Sequence, residues 1–97
     1  MSKALIIVDP QIDFCQGGSL EVKDSNKIFE AINKLKKSMM FDYIFVTLDW
    51  HPSNHYSFAS SHDREPFSEI TIERTVFQLW PVHCVENTEG AQISPLL

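Results

Sequence analysis

The sequence lacks the features that mark membrane and secreted proteins. No apolar run in its 97 residues approaches the roughly 18–20 residues of a membrane span. The N-terminal apolar stretch covers residues 4–8 and stops at Asp9, which is too short for the apolar region of a secretion signal. We therefore expect a cytoplasmic protein that does not enter a membrane.

Positive charge is also scarce. Lysine and arginine number 8 against 13 aspartates and glutamates, so the formal net charge is −5. Nucleic acids and anionic membranes attract clustered basic side chains, and we expect neither as a partner. The hydrophobic share of 43% is ordinary for a globular protein, and residues 1–97 are enough for one small domain.

Cysteine and glycine are few as well. Cys15 and Cys84 form no CxxC pair, and in a reducing cytosol we expect two small buried residues rather than a disulfide. Gly17-Gly18 predicts a turn. This pair lacks the Lys-Ser/Thr and the helix start that a phosphate-binding loop needs.

Two apolar, β-branched runs flank one amphipathic segment. The runs are KALIIV (3–8) and YIFVTL (43–48), each typical of a strand buried in a parallel sheet. Between them we expect a helix over about 25–39, capped by Asp24 or Ser25. Its apolar stripe would consist of Ile28, Ile32, Leu35 and Met39. Strand, helix, strand is a βαβ unit, so the predicted class is α/β with a parallel sheet.

Residues 49–79 show no such pattern. Prolines, serines, histidines and mixed charge dominate, and only residues 70–72 suggest a short strand. Long aromatic-rich loops of this kind are usually functional. Residues 85–97 predict no third strand, so the unit would leave one sheet face and one edge uncovered, as an incomplete α/β domain does.

Two aspartates follow the two predicted strands. Asp9 ends the first run and Asp49 the second. Ligand crevices in open parallel sheets lie outside the carboxyl ends of the strands, so both carboxylates are candidates for a site. Each could instead cap a turn with the proline that follows it.

The densest cluster of chemically active side chains is the pattern DxHxxxH. It holds Asp49, His51 and His55, and His83 in WPVHC is the natural ligand from a second loop. One carboxylate with several imidazoles suits Zn²⁺, Fe²⁺ or Mn²⁺. The alternative is that these are loop histidines packed against aromatic neighbours. His62 lies in a charged stretch and is expected at the surface.

Two aromatic residues near these motifs could hold a flat ligand. Phe14 and Trp80 could form walls for it by stacking, although the residues alone favour core packing for both.

Three segments resemble the nicotinamidase/pyrazinamidase family of isochorismatase-like hydrolases. They are ALIIVDPQIDFCQGGSL (4–20), VTLDWHPSNHYSFA (46–59) and QLWPVHCVENTEGAQ (78–92), in the order and spacing of that family. The resemblance implies a parallel sheet with flanking helices, of which this chain would hold an N-terminal βαβ portion and metal-site loops. It also implies hydrolysis of nicotinamide to nicotinate and ammonia by a cysteine nucleophile, an aspartate and a lysine beside one divalent metal, zinc before iron or manganese.

The resemblance also implies roles for individual residues. Asp9 matches the aspartate that takes the proton of the nucleophile, and Phe14 and Trp80 match the residues that sandwich the pyridine ring. The implied metal ligands are Asp49, His51 and His83, with His55 as a fourth that some members use. Ile12 departs from the family, which usually has an amide there.

The family's lysine and nucleophilic cysteine are expected beyond residue 97, since neither Cys15 nor Cys84 occupies the nucleophile position. The first hypothesis is therefore that the chain is part of a metal-dependent nicotinamidase of NAD salvage, which acts on a small ring amide. The second is a non-catalytic metal-binding or interaction fragment that pairs with another chain. The partner would be a second copy in a homo-oligomer or a complementing C-terminal half. The third is an α/β fragment whose histidines only pack.

Overall fold

A computed structural model describes residues 1–97 and contains the predicted βαβ unit. Strand β1 spans Ala4–Ile7 and strand β2 spans Tyr43–Val46. The two strands pair in parallel along their whole length. Helix α1, Ile28–Lys37, lies between them in sequence. The α/β class and the parallel sheet are confirmed, and both strands are shorter than their apolar runs.

Helix α1 is shorter than the predicted 25–39. A single 3₁₀ turn, Ser25–Lys27, precedes it, and Met39 leaves the helical conformation with φ 60°. Asp24 itself is left-handed at φ 59°, and its carboxylate pairs with Lys27 at 3.4 Å instead of accepting a backbone N–H. The predicted cap by Asp24 or Ser25 is therefore wrong, because the chain turns sharply before the helix begins.

Much of the apolar surface of the unit is uncovered. Of the predicted stripe, Ile28, Leu35 and Met39 are exposed, and the buried apolar residue of α1 is Phe29. The whole of β2 is exposed too. One helix on a two-stranded sheet cannot cover both faces, and the uncovered face is as predicted. No helix of the chain has the length and apolarity to cross a membrane.

The region 49–79 holds a β-hairpin. Strand β3 spans Glu69–Ile72 and pairs antiparallel with strand β4, Thr75–Gln78. The short strand expected at 70–72 is confirmed, whereas its partner is not predicted by the sequence analysis. The two turn residues, Glu73 and Arg74, have φ values of 49° and 70°.

The core lies in the loops that follow β2 rather than beneath the sheet. The most deeply buried apolar side chains are Phe58, Ala59, Leu79, Cys84 and Ala91. Single backbone bridges join the loop segments, His51 with Val85, Phe58 with Trp80 and Gln11 with Ile93. Both cysteines are buried and unpaired, as predicted. These loops therefore surround Asp9 and Asp49, the predicted site residues at the carboxyl ends of β1 and β2.

Candidate metal centre and general base

Three of the predicted metal ligands converge. Asp49 Oδ1 lies 2.9 Å from His51 Nε2, and Asp49 Oδ2 lies 3.3 Å from His83 Nε2. One donor atom from each of the three residues lies within 4.8 Å of the other two. The carboxylate thus sits between two imidazoles that come from different loops.

Backbone hydrogen bonds bring these loops together. His51 N–H donates to the carbonyl of Cys84 at 2.9 Å, and Glu86 N–H donates to the carbonyl of His51 at 2.7 Å. This short parallel bridge fixes His51 beside the segment that begins at His83. The proximity of the two imidazoles is therefore a property of the backbone and does not depend on the side chains alone.

The tautomer of His83 leaves one nitrogen available for a metal. Its Nδ1 lies 2.8 Å from the carbonyl oxygen of Pro81, which can only accept, so Nδ1 carries the proton. The lone pair is then on Nε2, the atom that faces Asp49. Metal-binding histidines usually have this arrangement, in which the distal N–H is held by a backbone carbonyl.

The donor set fits a divalent metal. Ligand atoms around a tetrahedral zinc lie about 3.3 Å apart when the bonds are about 2.0–2.1 Å, close to the two distances from Asp49. The side chain of His83 is 5% exposed while that of Asp49 is 30% exposed. Three protein ligands with one side open are the pattern of a catalytic rather than a structural metal site.

His55 lies beside this group without joining it. Its ring stacks at a tilt on His51, with centroids 4.3 Å apart. Its Nδ1 accepts the backbone N–H of Ser57 at 3.2 Å, which places the proton of the neutral ring on Nε2. Burial lowers the pKa of His55, and the neighbouring His51 lowers it further. The role of His55 as a fourth ligand stays a prediction.

Phe58 forms the apolar wall of the group. It is completely buried, and its ring contacts His51 and His83 edge-on with centroids 5.4 Å away in both cases. Such packing restricts the rotamers of both imidazoles. In the sequence Phe58 is one of five aromatic residues within 49–79, and no signal separates it from the others.

Asp9 is held at the carboxyl end of β1 by a residue that the sequence analysis does not single out. The hydroxyl of Thr47 donates to Asp9 Oδ1 at 2.7 Å, and the backbone N–H of Asp9 lies 3.0 Å from the same hydroxyl. Asp9 has φ 48°, a left-handed conformation that is costly for a residue with a side chain and is common at functional sites. One carboxylate oxygen is thus fixed, and Oδ2 carries no protein hydrogen bond.

The two predicted ring-binding aromatics lie in different surroundings. Phe14 contacts His83, with ring centroids 5.6 Å apart, and lines a cavity of about 400 Å³ together with Asp9. Trp80 packs edge-on against Phe67 at 6.1 Å and borders the β3–β4 hairpin. The structure brings Phe14 near both Asp9 and His83, whereas the ring contact of Trp80 is to a different aromatic residue.

Cys84 is not available as a nucleophile, and Cys15 is buried with its Sγ donating to the carbonyl of Gln11 at 3.2 Å. Cys84 has no exposed surface, and burial raises its pKa to about 12, with the charge of Asp49 adding to the effect. The reactive species is the thiolate, whose share at pH 7 is then roughly 10⁻⁵. A cysteine-dependent reaction at this site therefore requires a different cysteine.

We accordingly expect Cys84 to resist thiol reagents in the folded chain. In a Cys15→Ser variant, labelling by a disulfide reagent should be slow at pH 7. It should stay far below the rate of the unfolded chain across the neutral pH range, because burial both excludes the reagent and raises the pKa of the thiol. Guanidinium-unfolded protein is the control and should label fast. Rapid labelling of folded protein at pH 7 would show that Cys84 is accessible.

The fold and the site together define an α/β protein with a candidate divalent-metal centre and a separate carboxylate. Comparison with known proteins shows that this chain is similar to nicotinamidases. The chain is 41% identical over 97 residues to the nicotinamidase of Escherichia coli K12 and 45% identical over 95 residues to that of Acinetobacter baylyi. These alignments cover 98% and 97% of this chain but 46% and 44% of the relatives. The chain therefore spans about half the length of the curated relatives it matches.

Solved structures of nicotinamidases and pyrazinamidases are also similar to this chain. The nicotinamidase/pyrazinamidase of Acinetobacter baumannii superposes with a TM-score of 0.89 at 40% identity, covering 99% of this chain and 46% of that one. A pyrazinamidase of Pyrococcus horikoshii in complex with zinc superposes at 0.65 and 35% identity, covering 96% and 45%. A scan against protein-family models finds no match.

These matches confirm the predicted resemblance. Along its own length the chain is similar in sequence and in fold to nicotinamidases and pyrazinamidases, whose names describe hydrolases of an amide bond. The alternative of a non-catalytic fragment finds no support among these relatives.

Proposed function

We propose that this chain supplies the metal centre and the general base of a nicotinamidase, which converts nicotinamide and water into nicotinate and ammonia. The observation that carries the proposal is the convergence of Asp49, His51 and His83 in a chain whose relatives are nicotinamidases. A divalent metal fits the donor chemistry of this group.

Zinc is the metal that we propose, with iron and manganese as the competitors. Two imidazoles and one carboxylate suit all three ions, and the zinc complex of the related pyrazinamidase favours zinc. When bound, such an ion supplies Lewis acidity and holds a water or the ring nitrogen of the substrate. His83 and His51 would bind it through Nε2, and Asp49 would bind it through a carboxylate oxygen.

Asp9 is the proposed base. Thr47 occupies its Oδ1, so Oδ2 is the oxygen that accepts a proton from the attacking thiol. As the sulfur bonds to the amide carbon, Asp9 returns that proton to the departing nitrogen, which leaves as ammonia. Asp9 then takes a proton from the water whose oxygen replaces sulfur on the acyl carbon, and passes it back to the sulfur. The carboxylate is unchanged after one turnover.

Phe14 is proposed to bind one face of the pyridine ring, with Trp80 on the other. The support for Phe14 is its contact with His83 and the cavity that it shares with Asp9. The support for Trp80 is its place three residues before His83 in a loop tied to the core. A pyridine ring that packs on Phe14 would place its amide between Asp9 and the proposed metal.

We also propose that residues 1–97 belong to a single domain in the cytoplasm. Backbone hydrogen bonds join the two ends of the chain, Ile12 to Gln92 and Ser94 to Pro10. The unpaired cysteines fit a reducing compartment.

The exposed strand β2 would contact a complementing C-terminal half or a second copy of this chain. Light scattering would distinguish the two, because only the second copy forms a homo-oligomer.

A chimaera tests the proposed activity. Residues 1–97 would replace the aligned segment of the E. coli nicotinamidase, which supplies the remainder of that enzyme. We expect the chimaera to release ammonia and nicotinate from nicotinamide. The isolated chain should bind zinc without releasing ammonia, because its two cysteines are buried.

The outcomes separate clearly. A folded, zinc-loaded chimaera that leaves nicotinamide intact would contradict the proposed function. Robust turnover by the isolated chain would show that the nucleophile has been wrongly assigned. Circular dichroism and metal content of the chimaera serve as the controls for folding and loading.

A further inference from the structure

The segment that follows β1 contains a completely buried amide. Gln11 has no exposed surface, and both the nitrogen and the oxygen of its side-chain amide form hydrogen bonds. Its Nε2 donates to the carbonyls of Asp49 at 2.7 Å and Ala91 at 2.8 Å, and its Oε1 accepts the N–H of Asp49 at 2.9 Å. Both backbone groups of a candidate metal ligand are therefore held by one side chain.

The same segment holds the second metal loop through Asp13. Its Oδ2 accepts the backbone N–H of Cys84 at 2.8 Å, at the residue directly after His83. Cys84 has φ 48°, so this acceptor stabilises a left-handed turn at a residue other than glycine. A methyl group built on Gly90 would collide with the Asp13 carboxylate, so only glycine fits against it.

We propose that Gln11 and Asp13 are positioning residues of the metal centre, a role that rests on the proposed function. Gln11 sets the backbone at Asp49, and Asp13 sets the turn that orients His83. Since Asp9 and Phe14 belong to the same short segment, one stretch of chain fixes the base, the ring-binding aromatic and the two ligand loops relative to each other.

The expected consequence is a loss of metal affinity without loss of any ligand. Changing the partners that orient metal ligands typically weakens metal binding about 10–100-fold. A residue that only stabilises the fold would lower the unfolding temperature of the metal-free chain. It would not change the metal affinity of molecules that remain folded.

The first test compares two amide-to-apolar replacements in the full 97-residue chain. Gln11→Met keeps the volume and removes all three hydrogen bonds to backbone groups. Asn33→Leu is the matched control, because Asn33 also donates to a backbone carbonyl, that of Leu96, at 2.8 Å but outside the site. Zinc titration calorimetry at a temperature where the metal-free variants are folded should show about tenfold weaker binding for Gln11→Met alone.

The second test uses Asp13 and its neighbour. Asp13→Leu removes the acceptor for Cys84 N–H, whereas Asp13→Asn keeps an oxygen there and should restore most of the affinity. Gly90→Ala should displace the carboxylate and weaken binding as Asp13→Leu does. With cobalt at saturation, the visible absorption of these variants should change in intensity, which a purely structural role would leave unaltered. If Gln11→Met does not fold, the Asp13 and Gly90 variants carry the test.

The results distinguish the two proposals. Wild-type chain that binds neither zinc nor cobalt would overturn the metal centre itself. Wild-type chain that binds, with Gln11→Met, Asp13→Leu and Gly90→Ala binding equally tightly and with unaltered cobalt spectra, would overturn the positioning role alone.

Discussion

Replacing either His51 or Asp49 with alanine is expected to weaken zinc binding about a hundredfold or more. A structural four-ligand zinc site is worth about 10–16 kcal/mol at neutral pH, so one ligand accounts for about 3 kcal/mol, or a factor of about a hundred. These two residues are better targets than His83, whose side chain is 5% exposed and whose removal would leave a hole in the core.

His62→Ala is the matched control. Its ring contacts the carbonyl of Tyr56 at 2.7 Å and lies outside the three-residue group, so the zinc affinity should stay within about threefold of wild type. Equal binding by wild type, His51→Ala and Asp49→Ala in calorimetry would refute the metal centre.

His55→Ala tests whether His55 is a fourth ligand. If it is, the zinc affinity should fall as in His51→Ala; if His55 only packs, the affinity should stay as in His62→Ala.

The βαβ unit could be predicted because its signals are local and strong. Each strand is a continuous β-branched run, and in the segment between them apolar residues recur at helical spacing. The helix boundaries were harder to predict. Asp24 has the residue type of a helix cap, but its left-handed backbone points the side chain toward Lys27 and away from the helix N–H groups. Residue type alone does not reveal such a conformation.

Strand β4 shows what a pattern cannot reveal when the turn residues are atypical. Tight hairpins usually carry Asn-Gly or Asp-Gly where both turn residues need positive φ. Here Glu73 and Arg74 adopt these conformations, so the usual turn signal is missing although Thr75–Gln78 has strand-forming residues.

At the site, spacing predicted which residues could bind a metal but not what holds them. Asp49 and His51 are two residues apart in a motif, and His83 has a recognisable context. Gln11 and Thr47 act through hydrogen bonds across 38 residues of sequence, and no periodicity or motif reports such contacts. A single glutamine in a sequence gives no indication that it is buried and fully hydrogen-bonded.

Replacing Asp9 with asparagine is expected to lower kcat/KM of the chimaera for nicotinamide by about 10²–10⁴, the usual contribution of a positioned general base. Asparagine keeps an oxygen that can accept from the Thr47 hydroxyl, so the geometry at the end of β1 should persist while the proton acceptor is lost. Zinc affinity should be unchanged, because the three candidate ligands do not include Asp9.

Asp63→Asn is the control for the charge change, since Asp63 is an exposed residue in a left-handed turn and should leave the rate unaffected. Thr47→Val should lie between the two variants, because it frees Oδ1 and lets the carboxylate rotate without removing it. An Asp9→Asn chimaera that retains both full activity and zinc would show that the proton goes elsewhere. An Asp9→Asn chimaera that loses zinc together with activity would instead place Asp9 among the groups that hold the metal.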